Sequence, residues 1–262
     1  MPPPDAEANP ASGALLSLRP PGGATDERVA VEMPVALTVN GVSQAVMLAT
    51  PADLEDFALG FALSEGWIRS SQELLDVEVL TQPDGIELAL RVTTAREQQL
   101  KARRRLLAGR TGCGLCGLES LAQVSAVKPA PVQAPVLADG ALDRALAGLH
   151  AAQVLNARCG GLHGAAWCLP GGELLLARED IGRHNALDKL TGALARHGAD
   201  PRDGFVLMSS RASYELVHKT AMAGAGLLAC MSAPSSLAIA MADRVGLQLW
   251  AFVREGRATR YA

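Results

Sequence analysis

Two cysteines, Cys113 and Cys116, stand in the run Thr111-Gly112-Cys113-Gly114-Leu115-Cys116-Gly117. Three glycines interleaved with two cysteines, at 112, 114 and 117, do not suit a helix or a strand, so the run reads as a loop. A thiol acts as nucleophile and sulfur carrier only as its thiolate, and a free cysteine has a pKa of about 8.5 that neighbouring cations lower. Lys101, Arg103, Arg104, Arg105 and Arg110 lie just upstream. A pliable loop carrying a cation-favoured thiolate meets the requirements of a persulfide shuttle. Two other chemistries use the same spacing. A structural zinc site needs four ligands, yet no second Cys-x-x-Cys follows, and His150, Cys159 and His163 are irregularly spaced. A thioredoxin-like redox pair opens a helix after a strand, whereas this pair sits between glycines and a proline-rich stretch. Cys159, Cys168 and Cys230 lie in apolar contexts and read as small core residues. An odd cysteine count and the lack of an export signal argue against a disulfide framework.

A second set of candidates concerns anions. Open parallel sheets bind ligands beyond the carboxyl ends of their strands. Three expected strands end in polar residues: Ser209-Ser210-Arg211, Met231-Ser232-Ala233 and Phe252-Val253-Arg254-Glu255-Gly256-Arg257. Arg211, Arg254 and Arg257 could grip phosphate in bidentate fashion. Ser210 and Ser232 precede expected helices, whose free amides attract anions, although a plain helix cap is the simpler reading of Ser232. Glu179-Asp180-Ile181-Gly182-Arg183-His184-Asn185 is the other dense polar run, between a strand and a helix start. Two look-alikes fail. Gly224-Ala225-Gly226-Leu227-Leu228-Ala229 matches a dinucleotide fingerprint by letters but leaves a helix and enters a strand, the reverse of the required order. Glu215-Leu216-Val217-His218 is half of a di-iron pattern without its second copy.

The elements that must position these residues follow from pattern. Residues 1–27 read as a disordered tail. Residues 28–110 read as a small α+β domain of ββαββ form. Its first hairpin turns at Asn40-Gly41, and its helix is opened by Thr50, Pro51 and Asp53. Residues 111–137 hold the cysteine loop and a proline-rich linker. Residues 138–262 begin with a helix capped by Asp139 and then alternate strand and helix, which predicts a three-layer α/β domain with a parallel core. Net charge is -3, so no global basic field recruits nucleic acid. The sequence contains no apolar run long enough for a membrane span and no signal peptide, which predicts a cytoplasmic protein.

Several of these segments together resemble the formate dehydrogenase accessory sulfurtransferase family, FdhD. They are Cys113–Gly117, Gly160–His163, Glu179–Lys189, Ser210–Glu215 and Phe252–Arg257, and the likeness spans about residues 28–262. The resemblance implies that a cysteine desulfurase passes sulfur to the loop, and that the protein then sulfurates the bis-molybdopterin guanine dinucleotide cofactor used by formate dehydrogenase. It implies Cys113 as the persulfide carrier with Cys116 as its catalytic companion. It implies Phe252, Val253, Arg254, Glu255, Gly256 and Arg257 as the cofactor-binding stretch, to which Arg211 and Ser210 are added from the strand-end reading. GDP should mimic the cofactor, and no metal is expected to bind the protein directly. A cytidine-deaminase-like fold and a homodimer are also implied. That fold raises zinc deamination as a rival, but His163 is followed by Gly164 and Ala165, so the His-x-Glu acid/base is missing. The other rival is a non-catalytic cofactor chaperone of formate dehydrogenase, which would need the nucleotide site but no reactive thiol.

Overall fold

A computed structural model describes residues 13–21, 25–108 and 129–262, and for 103–108 the backbone alone. The chain opens on β1 (Leu15–Leu18), paired antiparallel with β2 (Glu27–Ala30). Sequence pattern places Leu15–Leu18 in a disordered tail. It forms a strand because Ala14 is fully buried against Leu155 and Leu162, an apolar anchor too short to show as a pattern.

β3 (Met33–Val39) and β4 (Val42–Ala49) form the expected hairpin. Asn40 and Gly41 both take positive φ, 46° and 77°, which a two-residue turn matched to strand twist requires. Then come α1 (Leu54–Ser64), β5 (Leu74–Gln82), β6 (Gly85–Val92) and α2 (Thr94–Ala108). The four strands lie in the order β4-β3-β6-β5, with β3 and β6 parallel. Val35, Leu37 and Val39 alternate along β3 and are buried with Phe57, Phe61 and Leu88. Arg96 ties α2 down, donating from Nε to Trp67 O at 2.9 Å and from Nη2 to Gly66 O at 2.8 Å.

Residues 129–138 run extended along the second unit, where Val132 N donates to Val245 O at 3.0 Å. This proline-rich stretch, expected as a linker, is docked over that length. There follow α3 (Ala141–Ala152), α4 (Asn156–Cys159), β7 (His163–Cys168), β8 (Leu174–Asp180), α5 (Arg183–His197), β9 (Phe205–Met208), α6 (Tyr214–Met222), β10 (Leu227–Cys230), α7 (Ser236–Val245), β11 (Gln248–Arg254) and β12 (Arg257–Arg260). The sheet order is β12-β11-β10-β9-β7-β8, parallel through β9, β10 and β11. Both faces are covered, so the central strands are apolar at every position. Phe205 and Leu207 point to α3, while Val206 and Met208 point to α5, α6 and α7. The three-layer α/β expectation holds. α3 is preceded by Gly140 in the left-handed conformation, not capped by the Asp139 side chain.

The two units meet helix to helix, α1 on α5. A Cβ on Gly60 would fall 1.7 Å from Asp188 O, and one on Gly192 would fall 1.9 Å from Asp56 O. Only glycine lets the two backbones approach so closely.

Candidate functional site

The carboxyl ends of β8, β9, β10 and β11 share one edge of the large sheet with the start of β7, because β7 runs antiparallel to both β8 and β9. That edge gathers His163, the α5 start at Arg183 and His184, Ser210 and Arg211 after β9, Ser232 after β10, and the β11–β12 turn. Backbone hydrogen bonds chain them together. Ser232 N donates to Ser210 O at 3.3 Å, and Phe252 N donates to Ser232 O at 3.2 Å. Ser210, Arg211 and Phe252 are thus brought to one line.

Their individual roles differ from expectation. Ser210 is 3% exposed and its hydroxyl donates to Arg211 O, so it caps nothing. The caps of α6 and α7 are Ser213 and Ser235, whose hydroxyls accept from Leu216 N and Ala238 N. Ser232 is likewise not a cap. Val253 is fully buried in the layer under α3, a core residue between two presented ones. Arg254, Glu255, Gly256 and Arg257 are exposed on the turn, and Gly256 N donates to Asp143 Oδ1 at 3.0 Å. Arg254 and Arg257 are paired directly across the β11–β12 ladder. Like charges set opposite each other are destabilising, and among the described residues neither has an ion-pair partner. An anion between them would relieve that repulsion.

The dense polar run separates into two groups. Glu179 accepts from Leu155 N and Asn156 N, both at 2.8 Å, and so orders the start of α4. Burial nevertheless pushes its pKa up. Asp180 accepts from Thr50 N at 3.0 Å, Gly182 N at 2.7 Å, Asn185 Nδ2 at 3.1 Å and Lys189 Nζ at 2.7 Å. Thr50, expected as a cap of α1, is the receiving point of this cluster instead. The actual cap position of α1, Asp53, is left-handed and makes no side-chain cap bond. Asn185 reaches Leu48 O at 2.8 Å. Asp188 accepts from Ser64 Oγ at 2.6 Å and Lys219 Nζ at 2.9 Å. Most of the motif therefore clasps the two units together. Arg183 and His184 are the polar side chains it leaves over, and the sequence reading assigns neither a role. The signal was present: a charged pair at the first turn of a helix that starts at the carboxyl edge of the sheet.

His184 Nε2 lies 2.7 Å from Glu215 Oε2 and 3.3 Å from Ser213 Oγ, so the first turns of α5 and α6 are neighbours. That contact holds the Glu215 carboxyl below its usual range. Burial, then the Arg183 charge, pushes the His163 pKa down, with smaller contributions in the same direction from His184 and Arg211 and an opposing one from Asp180.

Cys113, Cys116 and Arg110 lie outside the described residues. Lys101 pairs with Glu97 on its own helix. Of the described thiols, Cys168 is buried and pushed up to about 12, and burial raises Cys230 as well. Among the described residues no group of His, Cys, Asp and Glu is arranged to hold a metal ion, and no helix is long and apolar enough to cross a membrane.

The model of the FdhD/NarQ family matches residues 30–262. The chain belongs to the FdhD/NarQ family. It is 53% identical over 254 residues to the sulfur carrier protein FdhD of Variovorax paradoxus, covering 95% of this chain and 91% of that one. It is 52% identical over 237 residues to the protein of the same name from Cupriavidus necator, covering 90% and 82%. The crystal structure of a candidate formate dehydrogenase accessory protein from Desulfotalea psychrophila superposes with a TM-score of 0.72 at 25% identity over 94% of each chain. The mixed α/β architecture is thus that of the family, and the resemblance read from the five sequence segments holds along nearly the whole chain.

Proposed function

We propose that the protein is a cytoplasmic sulfur carrier serving formate dehydrogenase. It takes sulfur from a cysteine desulfurase onto Cys113, with Cys116 as the companion thiol, and delivers it to the bis-molybdopterin guanine dinucleotide cofactor as substrate. The observation that carries the reading is the match over 90% or more of the chain, at half identity, to relatives named as sulfur carriers. Attack of the Cys113 thiolate on the outer sulfur of a donor persulfide forms one S–S bond, breaks another and releases the donor thiolate, so no external oxidant is consumed.

Two structural facts support it. Cys168 and Cys230 are sealed in the core with their thiolates disfavoured, so neither suits a carrier. The exposed, unneutralised pair Arg254 and Arg257 suits the diphosphate of a guanine nucleotide. A homodimer, as in the family resemblance, is part of the proposal.

The test is peptide mass analysis after incubation with a desulfurase and cysteine. An added sulfur atom on Cys113 is expected. Sulfur confined to Cys159 would move the carrier to another thiol, and wild-type support of formate dehydrogenase by Cys113→Ala would replace the carrier with a cofactor-binding chaperone.

A further inference from the structure

Along the carboxyl edge of the large sheet, the Arg254–Arg257 turn occupies the β11–β12 end. The other end, over β7, β8 and β9, holds a separate group of cations. Arg183 is the first residue of α5, whose preceding Gly182 gives the helix no side-chain cap. Its Nε is buried and has no hydrogen-bond partner. A buried, unsatisfied guanidinium nitrogen is costly, and the half-buried remainder of the Arg183 side chain is what a ligand can reach. Arg211 stands exposed at the end of β9, and among the described residues neither arginine forms an ion pair. His163 opens β7 beside them, and His184 bridges to α6. The one exposed carboxylate of this group, Glu215, is engaged by His184. The nearby carboxylates Asp180 and Glu179 are turned inward onto Lys189 and onto α4 amides. What remains facing the edge is an excess of positive charge at the start of two adjacent helices, where the free amides add to it.

We infer that Arg183, Arg211 and His163 form an anion subsite for a phosphate or diphosphate group, distinct from the Arg254–Arg257 turn. Neighbouring strands are about 4.8 Å apart, so the two cationic positions, separated by two strands or more, lie roughly 10 Å or further from each other along the edge. One nucleotide-bearing substrate laid across the edge can meet both. Resting on the nucleotide reading of the proposed function, the inference names where one phosphate group of that substrate is held and assigns Arg183 as a positioning residue for it.

The experiment is calorimetry on the full chain with inorganic pyrophosphate, GDP and guanosine as probes. Wild type should bind pyrophosphate and GDP. Arg183→Gln and Arg211→Gln should each weaken both by roughly ten- to a hundredfold, the usual size of one lost charge-assisted bond, and Arg183→Lys should recover part of the loss. Guanosine, which has no phosphate, should be insensitive to either change. Arg211 is exposed, so its variant tests the subsite even if Arg183→Gln unfolds. Pyrophosphate binding that is absent in wild type, or unchanged in Arg211→Gln and folded Arg183→Gln but lost in Arg254→Ala/Arg257→Ala, would overturn the subsite. Those outcomes leave persulfide formation on Cys113 untouched, so failure of the subsite and failure of the carrier reading are separable.

Discussion

Lys189 Nζ lies 2.7 Å from Asp180 Oδ2, and both side chains are completely buried. Each also holds the same residue of the other unit: Asp180 Oδ2 accepts from Thr50 N at 3.0 Å, and Lys189 Nζ donates to Thr50 O at 2.9 Å. One ion pair thus satisfies both backbone groups of a residue far away in the chain. The floor of the candidate site and the small ββαββ unit are fixed to each other at Thr50. Lys219 with Asp188, the neighbour of Lys189 on α5, is bonded in turn to Ser64 at the far end of α1 and forms a second buried link between the units.

Lys189→Met should therefore destabilise the protein by about 3–5 kcal/mol, the usual cost of leaving one buried charge without its partner. Asp180 would keep its amide donors but lose its counter-ion, and Thr50 O would be left with Ala52 N alone. Urea unfolding gives the measurement. A midpoint shift worth less than about 1 kcal/mol, typical of an exposed pair, would show that the pair is not the clasp described.

Gly192→Ala tests the helix crossing. In an isolated helix alanine is favoured over glycine by about 1 kcal/mol, so propensity alone predicts a stabilised protein. The new Cβ would meet Asp56 O at 1.9 Å, a backbone atom that no rotamer change can move. Overpacking of this kind costs on the order of 1–3 kcal/mol or more, and the net change should be a lowered Tm. A raised Tm would mean that α1 and α5 do not touch at this point.

The histidine at the site should reveal its surroundings through pH. Burial and the Arg183 charge hold His163 below the ordinary histidine pKa, which is about 6.5. The folded protein then binds fewer protons than the unfolded chain just below that pH. The stability due to neutral His163 is present above the unfolded pKa and is lost as pH falls through the folded value. His163→Gln should flatten that part of the stability profile. By NMR the His163 imidazole should titrate low in the free protein and move upward when pyrophosphate is added. A titration at or above the ordinary value without added anion would contradict the half-buried setting of His163 beside Arg183.

Much of the frame was legible because local rules decided it. Asn40-Gly41 specified its hairpin, and α5 runs over the expected Arg183–His197 with Gly198 left-handed beyond it. Strand–helix alternation from Phe205 onward gave the layered domain. The failures share a cause. Thr50 looked like a helix cap because its sequence neighbours make it one on paper, while its real partners, Asp180 and Lys189, lie 130 and 139 residues away. Ser210 looked like an anion ligand, yet Ser213 three positions on took the cap and Ser210 was folded under. Asp180, Asp188 and Lys189 belong to a recognisable motif, but whether a motif charge faces a ligand or a domain seam depends on tertiary contacts that spacing does not encode. β12 escaped notice because its four residues carry no apolar alternation.

Phe252 sits in the left-handed region at φ 52°, between Ala251 and Val253, which are both fully buried. For a bulky residue that conformation costs on the order of 1–2 kcal/mol. It is held by the bond from its amide to Ser232 O and by the register shift between Ala251 and Arg254. Under the proposed function, with Phe252 in the cofactor-binding stretch, this position sets two selective pressures against each other. Asparagine would relax the backbone at the cost of the aromatic ring, so a library sorted for heat resistance alone should become enriched in Phe252→Asn. A library sorted for support of formate dehydrogenase should retain the ring and tolerate the strain. The divergence of the two pools at this single codon would reveal how much the side chain matters to the substrate, without any binding assay.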